Sequence, residues 1–245
     1  MNKATVLITG ASRRLGLYLC ERFIADGFFV IAVTRSSSAE LNALYNSRLK
    51  VYQVDSYHPQ NVQPLIKKIA SEVNHIDVLI HNASMFETDQ NCGVSRADSP
   101  ASVDLFQEMF NVHMALPAWL NTAFKGKLEN NATAGNIIHI TDIYAENPSS
   151  DYALYCSTKA GLENLSKGFA KKFAPRIRVN TIQPGPIQFL PEHTNATKDA
   201  VLSQTLLDIE GGFLPIYQAV VSIIDNHYMT GSSIKVDGGR SLGRG

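Results

Sequence analysis

Tyr155 and Lys159 stand four residues apart in the stretch "YCSTK", a spacing that on a helix puts both side chains on one face, about one turn apart. A tyrosine with its ordinary pKa of about 10 is a poor acid or base at neutral pH, and an ammonium within several Å lowers that value by favouring the phenolate. Thirteen residues before Tyr155, Asp142 closes the apolar run "NIIHITD". An ionised carboxylate has only acceptors, so it suits a substrate edge that carries N–H donors and repels a plain carbonyl oxygen. It also raises the pKa of a neighbouring phenol and opposes the lysine. That conflict relaxes when the acid takes up a proton or the two groups share one, and the pKa values then belong to the pair.

A second chemical pattern occupies the N-terminal end. "TVLITGASRRLGLYLCERF" sets a strand, a glycine-bearing turn and a helix in the order that points backbone N–H groups and a positive helix end at a pyrophosphate. Gly10 makes the turn, and Gly16 lets helix and strand approach closely. Arg35 follows the next apolar run in "AVTRSSS", where an acidic residue would bind the ribose 2′-hydroxyl of NAD. A guanidinium there pairs instead with a 2′-phosphate, so NADPH is the expected cofactor. Arg13 lies near the same edge, Ser36 and Ser37 add hydroxyls, and Asp55, closing "VYQVD", is placed to accept from an adenine amino group.

These residues need a scaffold. Seven short β-branched runs, "TVLITG", "FFVIAVTR", "LKVYQVD", "IDVLIHN", "NIIHITD", "IRVNTIQPG" and "SSIKVDGG", are largely apolar, as suits strands covered on both faces of a mostly parallel sheet. Helical patterns alternate with them as far as Lys172. In "NVQPLIKKIASEVN" the residues Val62, Leu65, Ile66, Ile69 and Val73 share one face. The expected fold is α/β: a Rossmann-type, doubly wound parallel sheet with helices on both faces, undivided over 1–245. Pro184, Pro186 and Pro191 interrupt "QPGPIQFLPEHTNATKDA", which reads as a loop running into a helix near Ala200 and as a candidate lid over 184–200.

Composition narrows the partners. Lys plus Arg and Asp plus Glu number 22 each, so no overall field draws the chain to nucleic acid or to an anionic membrane, and a small molecule is the expected ligand. No apolar run approaches the roughly 20 residues of a membrane helix. Cys20, Cys92 and Cys156 lack the paired spacing of a zinc site and suit a reducing compartment, with the cytoplasm as the expected location. No histidine pair has metal-ligand spacing: His58, His75, His139 and His227 read as surface or packing residues, as does His81. Trp119 reads as core or subunit interface, and "GRSLGRG" as a frayed or subunit-capping tail.

Taken together, "TGASRRLG", Asp55, "HNAS" (81–84), "YCSTK", "QPG" (183–185) and "YMTGSSIKVDGG" (228–239) make the chain resemble the short-chain dehydrogenase/reductase family over nearly its full length. The resemblance implies hydride transfer from a nicotinamide, Tyr155 as proton donor, Lys159 on the nicotinamide ribose, and a homotetramer. It also implies cofactor contacts at Gly10, Ser12, Arg13, Arg14, Leu15, Arg35, Ser36, Asp55, Asn82, Ala83, Pro184, Gly185 and Ile187, besides Tyr155 and Lys159. Three positions depart from the usual pattern: Asp142 replaces a serine, His113 in "FNVHMALP" replaces a helix asparagine, with Asn111 two residues earlier, and Arg14 replaces a glycine of the turn. Arg14, Asp142 and "NASMF" (82–86) are similar to the pteridine reductase branch. There the arginine lies near both cofactor phosphates and pterin, and the aromatic residue stacks on the pterin ring. Those substrate roles fall here on Arg14 and Phe86, with Ser84, Asp142 and Tyr155 completing the pocket and no metal required. The expected reaction is NADPH-dependent reduction of a dihydropterin, set against general carbonyl (3-oxoacyl-type) reduction and against a non-catalytic NADP(H) sensor.

Overall fold

The computed structural model describes residues 4–92, 100–130 and 134–243. All seven expected runs form strands: β1 (Thr5–Thr9), β2 (Phe29–Thr34), β3 (Leu49–Gln53), β4 (Val78–His81), β5 (Gly135–Ile140), β6 (Ile177–Pro184) and β7 (Ser233–Val236). They pair in parallel in the order β3-β2-β1-β4-β5-β6-β7. Leu7 stands opposite both Ile31 and Leu79, and Ile137 opposite both Leu79 and Val179. From β1 the chain winds outward one way, and from β4 it winds the other. The crevice between those two strands is the switch point at which such sheets bind ligands, beyond the strands' carboxyl ends.

The helices are α1 (Arg14–Ala25), α2 (Ala39–Ala43), α3 (Pro59–Glu72), α4 (Pro100–Phe110), α5 (Leu116–Ala123), α6 (Lys125–Glu129), α7 (Ala153–Phe173), α8 (Asn195–Leu202) and α9 (Leu214–Asp225), with a π-helical turn, Asn111–Ala115, between α4 and α5. Alternate strand residues serve opposite layers. Leu7, Val33, Leu79 and Ile137 pack beneath Val62, Leu65 and Ile69 of α3, Leu116 and Leu120 of α5, and Phe169 of α7. Val6, Ile8, Val30 and Ile138 face Leu19 and Phe23 of α1 and Ile216 and Val220 of α9. Full burial of each such side chain contributes about 1.5–3 kcal/mol, which is why these strands tolerate no polar alternation.

One boundary differs from the sequence expectation. The helix expected near Ala200 already begins at Asn195, because the Thr194 side chain accepts the Thr197 amide at 3.1 Å and caps it. None of its residues is buried, so apolar periodicity carried no signal there. The three cysteines are free and buried, Trp119 packs against the core, and the last two residues of the tail lie outside the described residues. Among the described residues no helix is long and apolar enough to cross a membrane.

Candidate active site

Because the strands are parallel, their carboxyl ends share one edge of the sheet, and the chemistry-bearing residues gather there. Gly10 follows β1, Arg35 follows β2, Asp55 lies just past β3, Asn82 follows β4, Asp142 lies just past β5, and Gly185 follows β6.

The nucleotide end is built by close approach. Gly10 has φ +68°, and a Cβ on it would lie 2.7 Å from the Ala83 Cα; one on Gly16 would lie 2.1 Å from the Gly10 carbonyl oxygen. Thr9 Oγ1 accepts the amides of Asn82 and Ala83 at 3.1 Å each, while Asn82 Nδ2 donates to the carbonyls of Thr9 and Gly10 at 3.0 and 3.2 Å. The turn after β1 is thereby locked to the "NAS" loop. Helix α1 has neither a capping side chain nor an acidic residue in its first turn, so its leading N–H groups suit an anion. Ser12 is buried behind this turn, and its carbonyl accepts from Ser38 Oγ at 2.7 Å. Leu15 packs inward, and Arg13, an extended residue, precedes the helix. Arg35 and Asp55 line one cavity of about 120 Å³ with Tyr57 and His58, and the Arg35 guanidinium lies 5.5 Å over the Tyr57 ring. Ser36 is exposed beside them. This glycine cradle, the uncapped helix end and the cation at the second strand fit an adenine dinucleotide carrying a 2′-phosphate.

The catalytic end is built on α7. Tyr155, Lys159 and Glu163 lie at i, i+4 and i+8 and are all buried. Tyr155 Oη donates to Asp142 Oδ2 at 2.8 Å, and Asp142 Oδ1 accepts the Tyr144 amide at 2.9 Å. That second bond caps the short helix Ile143–Ala145 and fixes the carboxylate against the phenol. Burial, then the Asp142 charge and hydrogen bond, push Tyr155 well above its ordinary value. Burial also raises Asp142, although the Tyr144 amide, Lys159, Tyr155 and Arg240 pull the other way. Lys159 is only 2% exposed. Its Nζ donates to the Ile140 carbonyl at 3.2 Å, and burial lowers its pKa to about 8 against the attraction of Asp142 and Glu163. The expected lowering of Tyr155 by Lys159 is therefore not met: the amine donates to Ile140 and is itself weakened by burial, while burial first and the Asp142 carboxylate second raise the phenol.

Glu163 binds the strand ends below Lys159, accepting from Thr141 Oγ1 at 2.5 Å, Thr181 Oγ1 at 3.0 Å and Gln183 Nε2 at 3.1 Å. Above the phenol stands an aromatic wall. Phe86, 51% exposed, stacks on Tyr152 with centroids 4.5 Å apart and meets the Tyr155 ring edge-on at 4.7 Å. Half of its surface stays open to solvent, so it does not pack in the core. Ser84 Oγ lies 2.9 Å from His113 Nε2 beneath this wall.

Arg14 has φ +50°, strained for a side chain with a Cβ. Its guanidinium donates to the Gln188 carbonyl at 2.6 Å and sits 6.0 Å over the Phe213 ring. It thus holds the segment after Pro184 across the crevice rather than reaching the Asp142 pair. A Cβ at Gly185 would meet the Asp237 Cα at 2.7 Å. The next residues, Pro186 and Ile187, wall a cavity of about 430 Å³ with Leu206 and Val236. Tyr144, Tyr152 and Arg240 escaped the sequence reading; the Arg240 guanidinium lies 3.4 Å from Tyr144 Oη. Their only signal was nearness to Asp142 and Tyr155 in the chain, or the tail motif "VDGGR". Among the described residues no group of three His, Cys, Asp or Glu could hold a metal ion.

An uncapped glycine turn on the first strand, with a tyrosine and a lysine on one helix face beyond the fifth, defines a nucleotide-dependent oxidoreductase. The chain belongs to the short-chain dehydrogenase family: a family profile described as "short chain dehydrogenase" matches residues 4–200. It is 32% identical over 238 residues to a dihydromonapterin reductase of Klebsiella pneumoniae, covering 97% of this chain and 96% of that one. The dihydromonapterin reductase of Escherichia coli K12 is 30% identical over 241 residues with the same coverage. Among solved structures, FolM alternative dihydrofolate reductase 1 from Brucella canis, complexed with NADP, superposes with a TM-score of 0.86 at 26% identity, covering 99% of this chain and 95% of that one. A 4-hydroxyisoleucine dehydrogenase complexed with NADH gives 0.88 at 25% identity, covering 99% of this chain and all of that one.

Proposed function

We propose that the protein reduces a dihydropterin to the tetrahydropterin with NADPH. The observation that carries this reading is the Asp142 carboxylate fixed 2.8 Å from the Tyr155 hydroxyl under the open face of Phe86. A reduced pterin presents amino and ring N–H donors along one edge, which Asp142 accepts, and a flat ring that Phe86 covers. The names of the relatives and of the NADP-bound structure support it.

When bound, NADPH supplies a hydride to pterin C6. The residues do the rest. Gly10, Ser12, Arg13, Arg14 and Leu15 cradle the pyrophosphate, Arg35 and Ser36 take the 2′-phosphate, and Asp55 takes the adenine. Asn82, Ala83, Pro184, Gly185 and Ile187 shape the bed of the nicotinamide half. Lys159 holds its ribose. Asp142 and Tyr155 share one proton and deliver it to N5. A phenol raised this far is a weak acid alone, which is why the proton is assigned to the Tyr155–Asp142 pair acting together. Ser84 and Phe86 position the ring, and Arg14 closes the segment after Pro184 behind it. A homotetramer follows from the family resemblance, and a cytoplasmic location from the free thiols of Cys20, Cys92 and Cys156.

A crystal structure with NADPH and a dihydropterin tests the reading. The pterin is expected between Phe86 and the nicotinamide with its amino edge on Asp142. A pterin bound elsewhere, or Asp142 turned away from it, overturns the assignment.

A further inference from the structure

Glu163 is a buried acid that the proton transfer proposed above does not use. Donors surround it: Thr141 Oγ1 at 2.5 Å, Gln183 Nε2 at 3.1 Å and Ser233 Oγ at 3.4 Å reach Oε1, and Thr181 Oγ1 reaches Oε2 at 3.0 Å. An ionised carboxylate, which has only acceptors, is the form this set satisfies. Burying a charge is costly, and well-packed apolar residues in place of a buried ion are commonly neutral or stabilising. Stability alone is therefore a poor reason for an acid at this position.

Its place in the fold supplies another. Thr141 lies between Ile140, whose carbonyl accepts from Lys159 Nζ at 3.2 Å, and Asp142, whose Oδ2 accepts from the Tyr155 hydroxyl at 2.8 Å. Sheet pairing fixes this stretch against β6, through the Thr141 amide and the Ile182 carbonyl at 2.8 Å. The bond from Thr141 to Glu163 fixes it against α7, at the residue flanked by the two catalytic contacts. Through Thr181 and Gln183 on β6 and Ser233 on β7, the same carboxylate ties α7 to the neighbouring strands. On α7, Glu163 stands one turn beyond Lys159, and side chains four apart on a helix are neighbours. Burial lowers Lys159 to about 8, and the charges of Asp142 and Glu163 work against that lowering.

We infer that Glu163 is a positioning residue for the catalytic pair: it holds Thr141 so that the Ile140 carbonyl and the Asp142 carboxylate meet Lys159 and Tyr155, and it sets a negative charge one helical turn from the Lys159 ammonium. This rests on the roles proposed above for Tyr155 and Lys159.

Two substitutions separate the geometry from the charge, with single-turnover reduction followed across pH. Thr141→Val removes the hydroxyl and keeps the carboxylate. The chemical step is expected to slow about tenfold, since a small misplacement of reacting groups is costly, with substrate KM changed less than about twofold and the alkaline limb still near pH 8. Glu163→Gln turns one acceptor into a donor among donors. It is expected to slow the step at least as much and to move the limb down by about one pH unit, the effect of removing an opposite charge within about 6 Å. Tyr155 is pushed well above its ordinary value and His113 and His139 well below theirs, so that limb belongs to Lys159, with Asp142 as the other charge acting on it.

An unchanged chemical step in both variants, with only the melting temperature lowered, would make Glu163 structural and overturn the inference. So would a limb that stays near pH 8 in Glu163→Gln or moves equally in Thr141→Val. Should Glu163→Gln not fold, Thr141→Val decides: a slowed step with an unmoved limb supports the inference, and an unchanged step overturns it. If no dihydropterin is reduced, the proposed function fails, and the same comparison on whichever carbonyl substrate the wild type reduces still decides the inference.

Discussion

The Tyr155 hydroxyl donates to Asp142 Oδ2 at 2.8 Å, while the Tyr144 amide pins the other carboxylate oxygen at 2.9 Å, so acid and phenol are held as one unit. Asp142→Asn replaces an acceptor with a group that must choose between accepting and donating. We expect kcat/KM for a dihydropterin to fall about 100-fold, the equivalent of two hydrogen bonds to a charged group, with the fold intact by circular dichroism. Asp142→Ser restores a hydroxyl donor, and its turnover of carbonyl substrates is expected to exceed that of the wild type.

Tyr155→Phe removes one oxygen and leaves the ring against Phe86 and His113. Steady-state kcat is expected to drop about 10²- to 10⁴-fold, the usual contribution of a general acid. NADPH affinity, read by fluorescence titration, should survive. A non-catalytic NADP(H) sensor would bind the cofactor equally well with no turnover to lose.

Lys159 titrates at about 8 because burial disfavours its ammonium. As pH rises through that value the cation at the ribose is lost, so kcat/KM is expected to decline above about pH 8. Stability runs the opposite way. Between about 8 and the ordinary lysine value the unfolded chain binds more protons than the folded one, so unfolding free energy rises with pH. Lys159→Met should abolish both limbs, read by pH–rate profiles and by melting temperature against pH.

Arg35, standing over Tyr57 in the cavity it shares with Asp55, sets the choice of nucleotide in this account. Arg35→Ser is expected to raise the KM for NADPH about tenfold or more, the loss of a charge-assisted contact to phosphate, and to leave that for NADH nearly unchanged. Equal losses for both nucleotides would remove Arg35 from the 2′-phosphate site.

The strands were legible because burial on both sheet faces fills the inner ones with apolar residues: Val6, Leu7 and Ile8 of β1 are each fully buried. The Tyr155 and Lys159 spacing likewise implied one helix face. The start of helix α8 was not legible because it depends on one capping hydroxyl, Thr194. The π turn at Asn111–Ala115, which carries His113 to Ser84 and Thr158, has no periodicity to announce it. Nor did spacing show that Lys159 would turn to the Ile140 carbonyl; that depends on how deeply α7 is buried against β5 and β6.

Turnover tests the central claim most directly: purified protein, NADPH and, in turn, dihydromonapterin, dihydrobiopterin and dihydrofolate, followed by the loss of NADPH absorbance and by product chromatography. The account predicts conversion of at least one of them to its tetrahydro form, slowed about 100-fold by Asp142→Asn. No reduction of any of the three, alongside brisk reduction of a 3-oxoacyl or other carbonyl substrate, would contradict it.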